Sequence, residues 1–195
     1  MENNIATEMV ALIRCFLEQF IFPKGLDVMK QLCELNDKIL LGLDGMSDKQ
    51  PRLTARAILR RSDGMYAVMY AARFGLHSLP GGGIEGNEDP ITAQRREVLE
   101  ETGCNCDHIE ELGIVSENRA HQDYTSVSYY YVVHCEHNPK PNHLTEDELA
   151  NKTTVQWHTL DDVVRLISEP KHTTTQRMYL QARDMAALKE YLCHK

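Results

Sequence analysis

Residues 97–101 carry three carboxylates, Glu97, Glu100 and Glu101. On a helix the spacings i, i+3 and i+4 put all three on one face. Like charges that close repel and cost stability. The cations beside them are Arg95 and Arg96. A divalent ion would supply the missing positive charge, and an all-oxygen donor set favours a hard ion, Mg²⁺ or Mn²⁺, over zinc. Mg²⁺ usually takes one or two carboxylates and fills its shell with water and phosphate oxygens. The competing reading is a solvated acidic face, and helical spacing alone does not separate the two.

The flanking residues say how such a face would be positioned. Asp89 is a good N-cap, and Pro90 at the first helical position loses no needed hydrogen bond. Gly103 sits where a C-terminal cap belongs. A helix is therefore predicted from about Asp89 to Gly103, with Ile91, Val98 and Leu99 on a separate apolar side that is free to pack. Upstream, Pro80 leads into Gly81, Gly82 and Gly83, a turn that lets backbone carbonyls come close to a ligand.

Taken together, residues 82–104 resemble the Nudix box, G-x5-E-x7-R-E-U-x-E-E-x-G-U, where U is a bulky apolar residue. Gly82, Glu88, Arg96, Glu97, Val98, Glu100, Glu101 and Gly103 stand at matching positions, and Cys104 replaces the last bulky apolar residue. The resemblance implies an α/β fold, an α/β/α sandwich with a mixed β-sheet. It implies a Mg²⁺-dependent hydrolase (Mn²⁺ as the alternative ion) that cleaves a pyrophosphate linkage in a nucleoside diphosphate joined to another moiety. The metal ligands it implies are Glu97, Glu100, Glu101 and the carbonyl of Gly82, with Glu97 and Glu101 first. Glu100 is a third ligand or, paired with Glu97, the general base. Arg96 orients Glu97, and Glu88 braces the loop. A ligand-sensing regulator on the same fold is the alternative, but such proteins usually lose box carboxylates and this chain keeps them. No subfamily marker beside the box fixes the substrate: Asn118 and Arg119 stand where a Pro marks many ADP-ribose enzymes, and Tyr124 is displaced from the Tyr of dinucleoside polyphosphate enzymes.

The bulk numbers agree with that class. The chain has 195 residues, 42% hydrophobic and 26% charged, which suits one domain at 51–195 preceded by a helical segment at 1–50. Its net charge of −8 gains nothing from counterion release, so a small nucleotide rather than a long nucleic acid is the expected partner. The start, MENNIATEM, lacks the basic region of a signal peptide, and no run of 18 apolar residues suggests a membrane span. The six cysteines form no CxxC pair, which fits reduced thiols in the cytoplasm.

Outside the box, helices are predicted over 6–22 and about 26–36. Their apolar stripe needs cover, either from this domain or from a second copy in a homodimer. Strands are predicted over 53–59, 65–72, 109–116, 125–135 and 155–157. In the fourth of these, Tyr129 and Tyr131 share one face and Tyr130 the other. They could stack on a base, although half-buried strand positions are the simpler reading. Residues 136–152 read as a polar loop in which Glu146 or Glu148 could add a site carboxylate. A short helix at 160–167 and a longer one at 174–192 follow, the latter with Met178, Met185, Leu188 and Leu192 in register. His77 and His121 lie nearest the expected site, with core or solvated positions the simpler reading for both.

Overall fold

Arg52–Arg61 (β2) and Tyr124–Cys135 (β7) alternate small, β-branched and aromatic residues, and they pair in parallel from Arg52–Ser126 to Arg61–Cys135. This computed structural model describes residues 29–136 and 140–195. The period of two divides the side chains of these central strands between two cores. Ala55, Ala57, Leu59, Tyr129, Tyr131 and Val133 go to one side, and Ile58 and Tyr130 to the other. The three tyrosines are 4%, 0% and 2% exposed, so they are core residues with no free ring face for a base.

Around this pair the sheet is mixed. His108–Arg119 (β6) runs antiparallel to β7, and Gln31–Asn36 (β1) lies parallel to β6 as the edge strand. Tyr66–Ala71 (β3), Leu76–Ser78 (β4) and Thr153–His158 (β8) extend the other side, with β4 and β8 both antiparallel to β3. Gly81–Gly83 (β5) pairs with Thr54–Arg56 of β2, whereas β3 meets β2 at Arg60–Tyr66. The sheet therefore splits along one edge of β2.

Pro90–Thr102 (α2, after the short α1 at Asp37–Leu41) buries Ala93 and Val98 against the first core. Leu160–Ser168 (α4) and Thr175–Cys193 (α5) bury Val163, Ile167, Tyr179 and Leu188 against the second. The result is the expected α/β/α sandwich. Glu146–Ala150 (α3) is a single short turn closed by a capping box between Thr145 and Glu148.

Two expectations are corrected. Residues 31–36 are a strand, not the end of a helix over 26–36, so the segment 1–50 is not uniformly helical. The open ladder of β6 offers paired backbone hydrogen bonds that an isolated short helix cannot match. In α5 the buried row is Tyr179, Arg183, Asp184, Ala187 and Leu188, while Leu192 is exposed. The stripe runs through a charged pair, which a purely apolar register passes over. The helix predicted over 6–22 and the dimer contact assigned to it lie outside the described residues. Among the described residues, no helix is long and apolar enough to cross a membrane.

Candidate active site

The helix that carries the carboxylates is fixed at both ends as its sequence requires. Asp89 accepts from the N–H groups of Ile91 at 3.0 Å and Thr92 at 2.9 Å, Pro90 opens the helix, and Gly103 ends it in a left-handed turn. The polar loop then covers the last turn. His143 N donates to Glu100 O at 2.7 Å, Lys140 N to Gly103 O at 2.8 Å, and Asn142 Nδ2 to Glu101 O at 3.3 Å. These bonds satisfy carbonyls that a helix end leaves unpaired. They also bring α3 up to the site.

Arg96 is the hub of the acidic face. Its Nη1 donates to Glu97 Oε1 at 2.8 Å and Glu100 Oε2 at 3.2 Å, and its Nη2 to Glu88 Oε1 at 2.7 Å and Gly83 O at 2.8 Å. These charge-assisted bonds push the Arg96 pKa further up and hold Glu88 below the usual carboxylate range. Glu88 also accepts from Glu85 N at 2.8 Å, which braces the loop before the helix. Glu97 is half-buried in this web. Burial raises its pKa, and Arg96 opposes the rise without cancelling it.

Glu101 turns away from Arg96. It is 6% exposed and accepts from Gly81 N at 2.6 Å. Burial drives its pKa well above the ordinary value, more than the Gly81 N–H and the distant Arg56 charge restore. The backbone can come this close because of the glycines. At Gly81 φ is +132°, and a Cβ would collide with Ala55 O of the neighbouring strand. At Gly82 a Cβ would overlap the Glu97 carboxylate. Glu97, Gly82, Gly81 and Glu101 are thus drawn together at the split in the sheet.

The three carboxylates are not yet gathered on one point. Among the described residues, no three Asp, Glu, His or Cys side chains stand ready to enclose a cation. Arg96 occupies Glu97 and Glu100, and Gly81 N occupies Glu101. The donor set nonetheless fits a hard cation. It is all oxygen, it includes a buried carboxylate whose one hydrogen bond is to an amide, and Arg96 keeps Glu88 and Gly83 O as anchors if Glu97 or Glu100 turns.

A cleft of about 190 Å³ opens where β2 and β3 diverge, lined in part by Arg56, Gly81, Glu101, Glu148 and Arg183. Glu148, not Glu146, lines it. The Glu148 carboxylate accepts from Thr145 N at 2.7 Å and Oγ1 at 2.8 Å, so the capping box also sets its position. Arg56 and Arg183 are the site residues that sequence reasoning missed. The only available signals were an Arg in the alternation of β2 and an Arg–Asp pair inside the register of α5. The two histidines do other work. His121 Nδ1 lies 2.8 Å from Asp37 Oδ1 and ties α1 to the turn after β6, while His77 stacks on Tyr70 with centroids 4.5 Å apart.

With this geometry in view, the likeness to known proteins is consistent. The family model of the NUDIX domain matches residues 50–181. A MutT-like protein of Streptomyces ambofaciens is 30% identical over 117 residues, covering 60% of this chain and 70% of that protein. The solved structure of a NUDIX hydrolase from Nitrosomonas europaea shares the fold at a TM-score of 0.56 and 21% identity, covering 75% of this chain and 91% of that one.

Proposed function

The chain belongs to the Nudix hydrolase family, and from that premise we propose that it cleaves a pyrophosphate linkage in a small nucleoside diphosphate derivative with Mg²⁺ as its cation. Members of the family generally use divalent metal ions. In this chain Glu97, Glu100, Glu101 and the Gly82 carbonyl would hold the ion, with Glu148 as the further carboxylate. When bound, Mg²⁺ would offset charge on the phosphate oxygens and lower the barrier to hydrolysis.

The chain's own residues supply position and proton transfer. Arg96 holds Glu97 and Glu100 in one orientation and limits their mutual repulsion. Glu100, more exposed than Glu97, can take a proton from an attacking water with Glu97 beside it. Gly81 and Gly82 keep backbone atoms within reach of both Glu97 and Glu101. The observation that carries the reading is this meeting of Glu97, Glu101 and the glycine turn beside the cleft that Gly81 and Glu101 line. The full set of box carboxylates favours catalysis over a sensing role. The net charge of −8 favours a small substrate over a long nucleic acid. A homodimer formed through the N-terminal segment completes the proposal, and light scattering at high micromolar concentration tests it: a monomer there removes it.

The main test is phosphate or nucleotide release from nucleotide sugars, dinucleotides and nucleoside triphosphates, with Mg²⁺ and with EDTA. Cleavage of at least one class that stops in EDTA is expected. Cleavage that persists in EDTA, or none at all, overturns the proposal.

A further inference from the structure

Arg56 and Arg183 line the cleft from outside the box, one from the middle of β2 and one from α5. Arg183 is 4% exposed. Its Nε donates to Asp184 Oδ1 at 3.2 Å and its Nη1 stands 3.7 Å from Glu117 Oε1, while its buried Nη2 has no partner. Arg56 donates from Nη1 to Leu79 O at 3.2 Å, and its buried Nε also has no partner. Nearly all buried donors in folded proteins are paired, so two unpaired guanidinium nitrogens at one cleft need an explanation.

The neighbouring acids do not provide it. Asp184 already accepts from Leu79 N at 2.9 Å and from the Tyr130 hydroxyl at 2.5 Å, and Glu117 holds Arg119 through Oε2, while its unpaired Oε1 lies nearest Nη1 of Arg183, not Nη2. The cleft itself is lined by two guanidinium groups, Arg56 and Arg183, and two carboxylates, Glu101 and Glu148. Glu101 is bound to Gly81 N and Glu148 to Thr145. The donors left unpaired beside the cleft are therefore those of the two guanidinium groups.

The shape narrows what could answer those donors. A space of about 190 Å³ is below the roughly 300–1,000 Å³ of pockets that enclose a whole small-molecule ligand. Met69, Glu101 and Arg183 are buried, while Glu148, Thr153 and Leu180 are partly exposed at the rim. What reaches the buried end is compact and anionic, and a guanidinium fork matches phosphate oxygens.

We propose that Arg56 and Arg183 form a subsite for a terminal phosphoryl group. The substrate then enters phosphate-first, with its nucleoside outside the cleft, and the preferred class is one with a free phosphate end, not a diphosphate capped by a sugar. The preference rests on the hydrolase reading, whereas the subsite itself binds without turnover.

The test separates the two. In EDTA, inorganic phosphate should raise the melting temperature of wild type more than that of Arg56→Gln or Arg183→Gln. Any general salt effect is common to all three proteins. With Mg²⁺, Arg56→Gln should raise KM for a nucleoside triphosphate about tenfold or more, the scale of one charged hydrogen bond, and change KM for a nucleotide sugar far less. If Arg183→Gln does not fold by circular dichroism, Arg56→Gln and Arg183→Lys carry the comparison. Equal phosphate shifts in wild type and variants overturn the subsite. Equal KM changes for both substrates overturn the terminal preference. A subsite that binds phosphate in a protein that cleaves nothing leaves the subsite standing and removes the hydrolase reading.

Discussion

On α2, Glu97 and Glu100 share Arg96, and Glu100 stays open to water. Beneath α5, Glu117 and Asp184 are almost wholly excluded from water and hold Arg119 and Arg183. Tyr179 adds its hydroxyl to Asp37 at 2.8 Å, and the Arg119 guanidinium lies 4.6 Å from the centre of the Tyr179 ring. The first cluster has an acidic surplus and partial exposure, so its side chains can turn toward a ligand. The second is locked between helix and sheet, where a lost partner cannot be replaced by solvent. The difference is one of burial more than of residue type. It suits the first cluster to chemistry and the second to support, with Arg183 also lining the cleft.

The sharpest way to break the comparison is to remove a partner from each side. Glu117→Gln should leave Arg119 uncompensated in the interior and cost about 3–5 kcal/mol of stability, measured by urea unfolding. A loss under about 1 kcal/mol, the scale of an exposed pair, would mean the buried cluster is no more constrained than a surface one. Glu97→Gln or Glu100→Gln should do the reverse. Each should keep the fold and lower kcat by about a hundredfold or more, the scale of a catalytic acid–base group. Activity within about threefold of wild type in both variants removes these residues from catalysis, since such a group contributes far more.

A smaller effect concerns Asp37. Burial pushes its pKa up, but the His121 amide, the His121 ring and the Tyr179 hydroxyl outweigh that and leave it below the usual Asp range. A depressed folded pKa means the unfolded chain binds more protons as the medium acidifies. The stabilisation is present above about pH 3.9, the ordinary Asp value, and is lost as pH falls through the folded pKa. Asp37→Asn should therefore show a shallower acid limb in its stability curve. An unchanged limb rules this contact out as a source of acid sensitivity.

The smallest effect should come from Glu101. Its folded pKa is raised, so the metal-free protein holds a proton that the unfolded chain releases above about pH 4.3. Stability without metal should thus fall as pH rises from there, and Glu101→Gln should lack that fall. At neutral pH the variant should equal or exceed metal-free wild type, by roughly 0.2–0.5 kcal/mol per relieved like-charge pair. Wild type should gain melting temperature with Mg²⁺, and Glu101→Gln should lose most of the gain. Equal Mg²⁺ shifts in the two proteins remove Glu101 from the ligand set.

The acidic cluster was legible because it is local. Asp89, Pro90, Arg96, the three glutamates and Gly103 lie within about four turns of chain, and helical geometry alone sets their relation. Alternation in β2 and β7 likewise announced the central strands and the opposite directions of Tyr129 and Tyr130. The second cluster gathers Asp37, Glu117, Arg119, Tyr130, Tyr179, Arg183 and Asp184 from four separate elements. No spacing rule connects them, and a register built on apolar residues reads Arg183 as an interruption. β1 failed for a related reason: six residues with two leucines suit either helix or strand, and only the open edge of β6 decides. The choice of Glu148 over Glu146 waited on the bonds that seat the 140–143 loop on the end of α2. Sequence by itself determined the helix, its caps and its carboxylates, because each follows from local periodicity and backbone preference, and the layer order followed from the family resemblance. Only the tertiary structure decided that the sheet splits beside β2, that Glu101 is buried there, and that Arg56 of β2 and Arg183 of α5 line the same cleft. Those outcomes depend on which distant surfaces exclude water from one another.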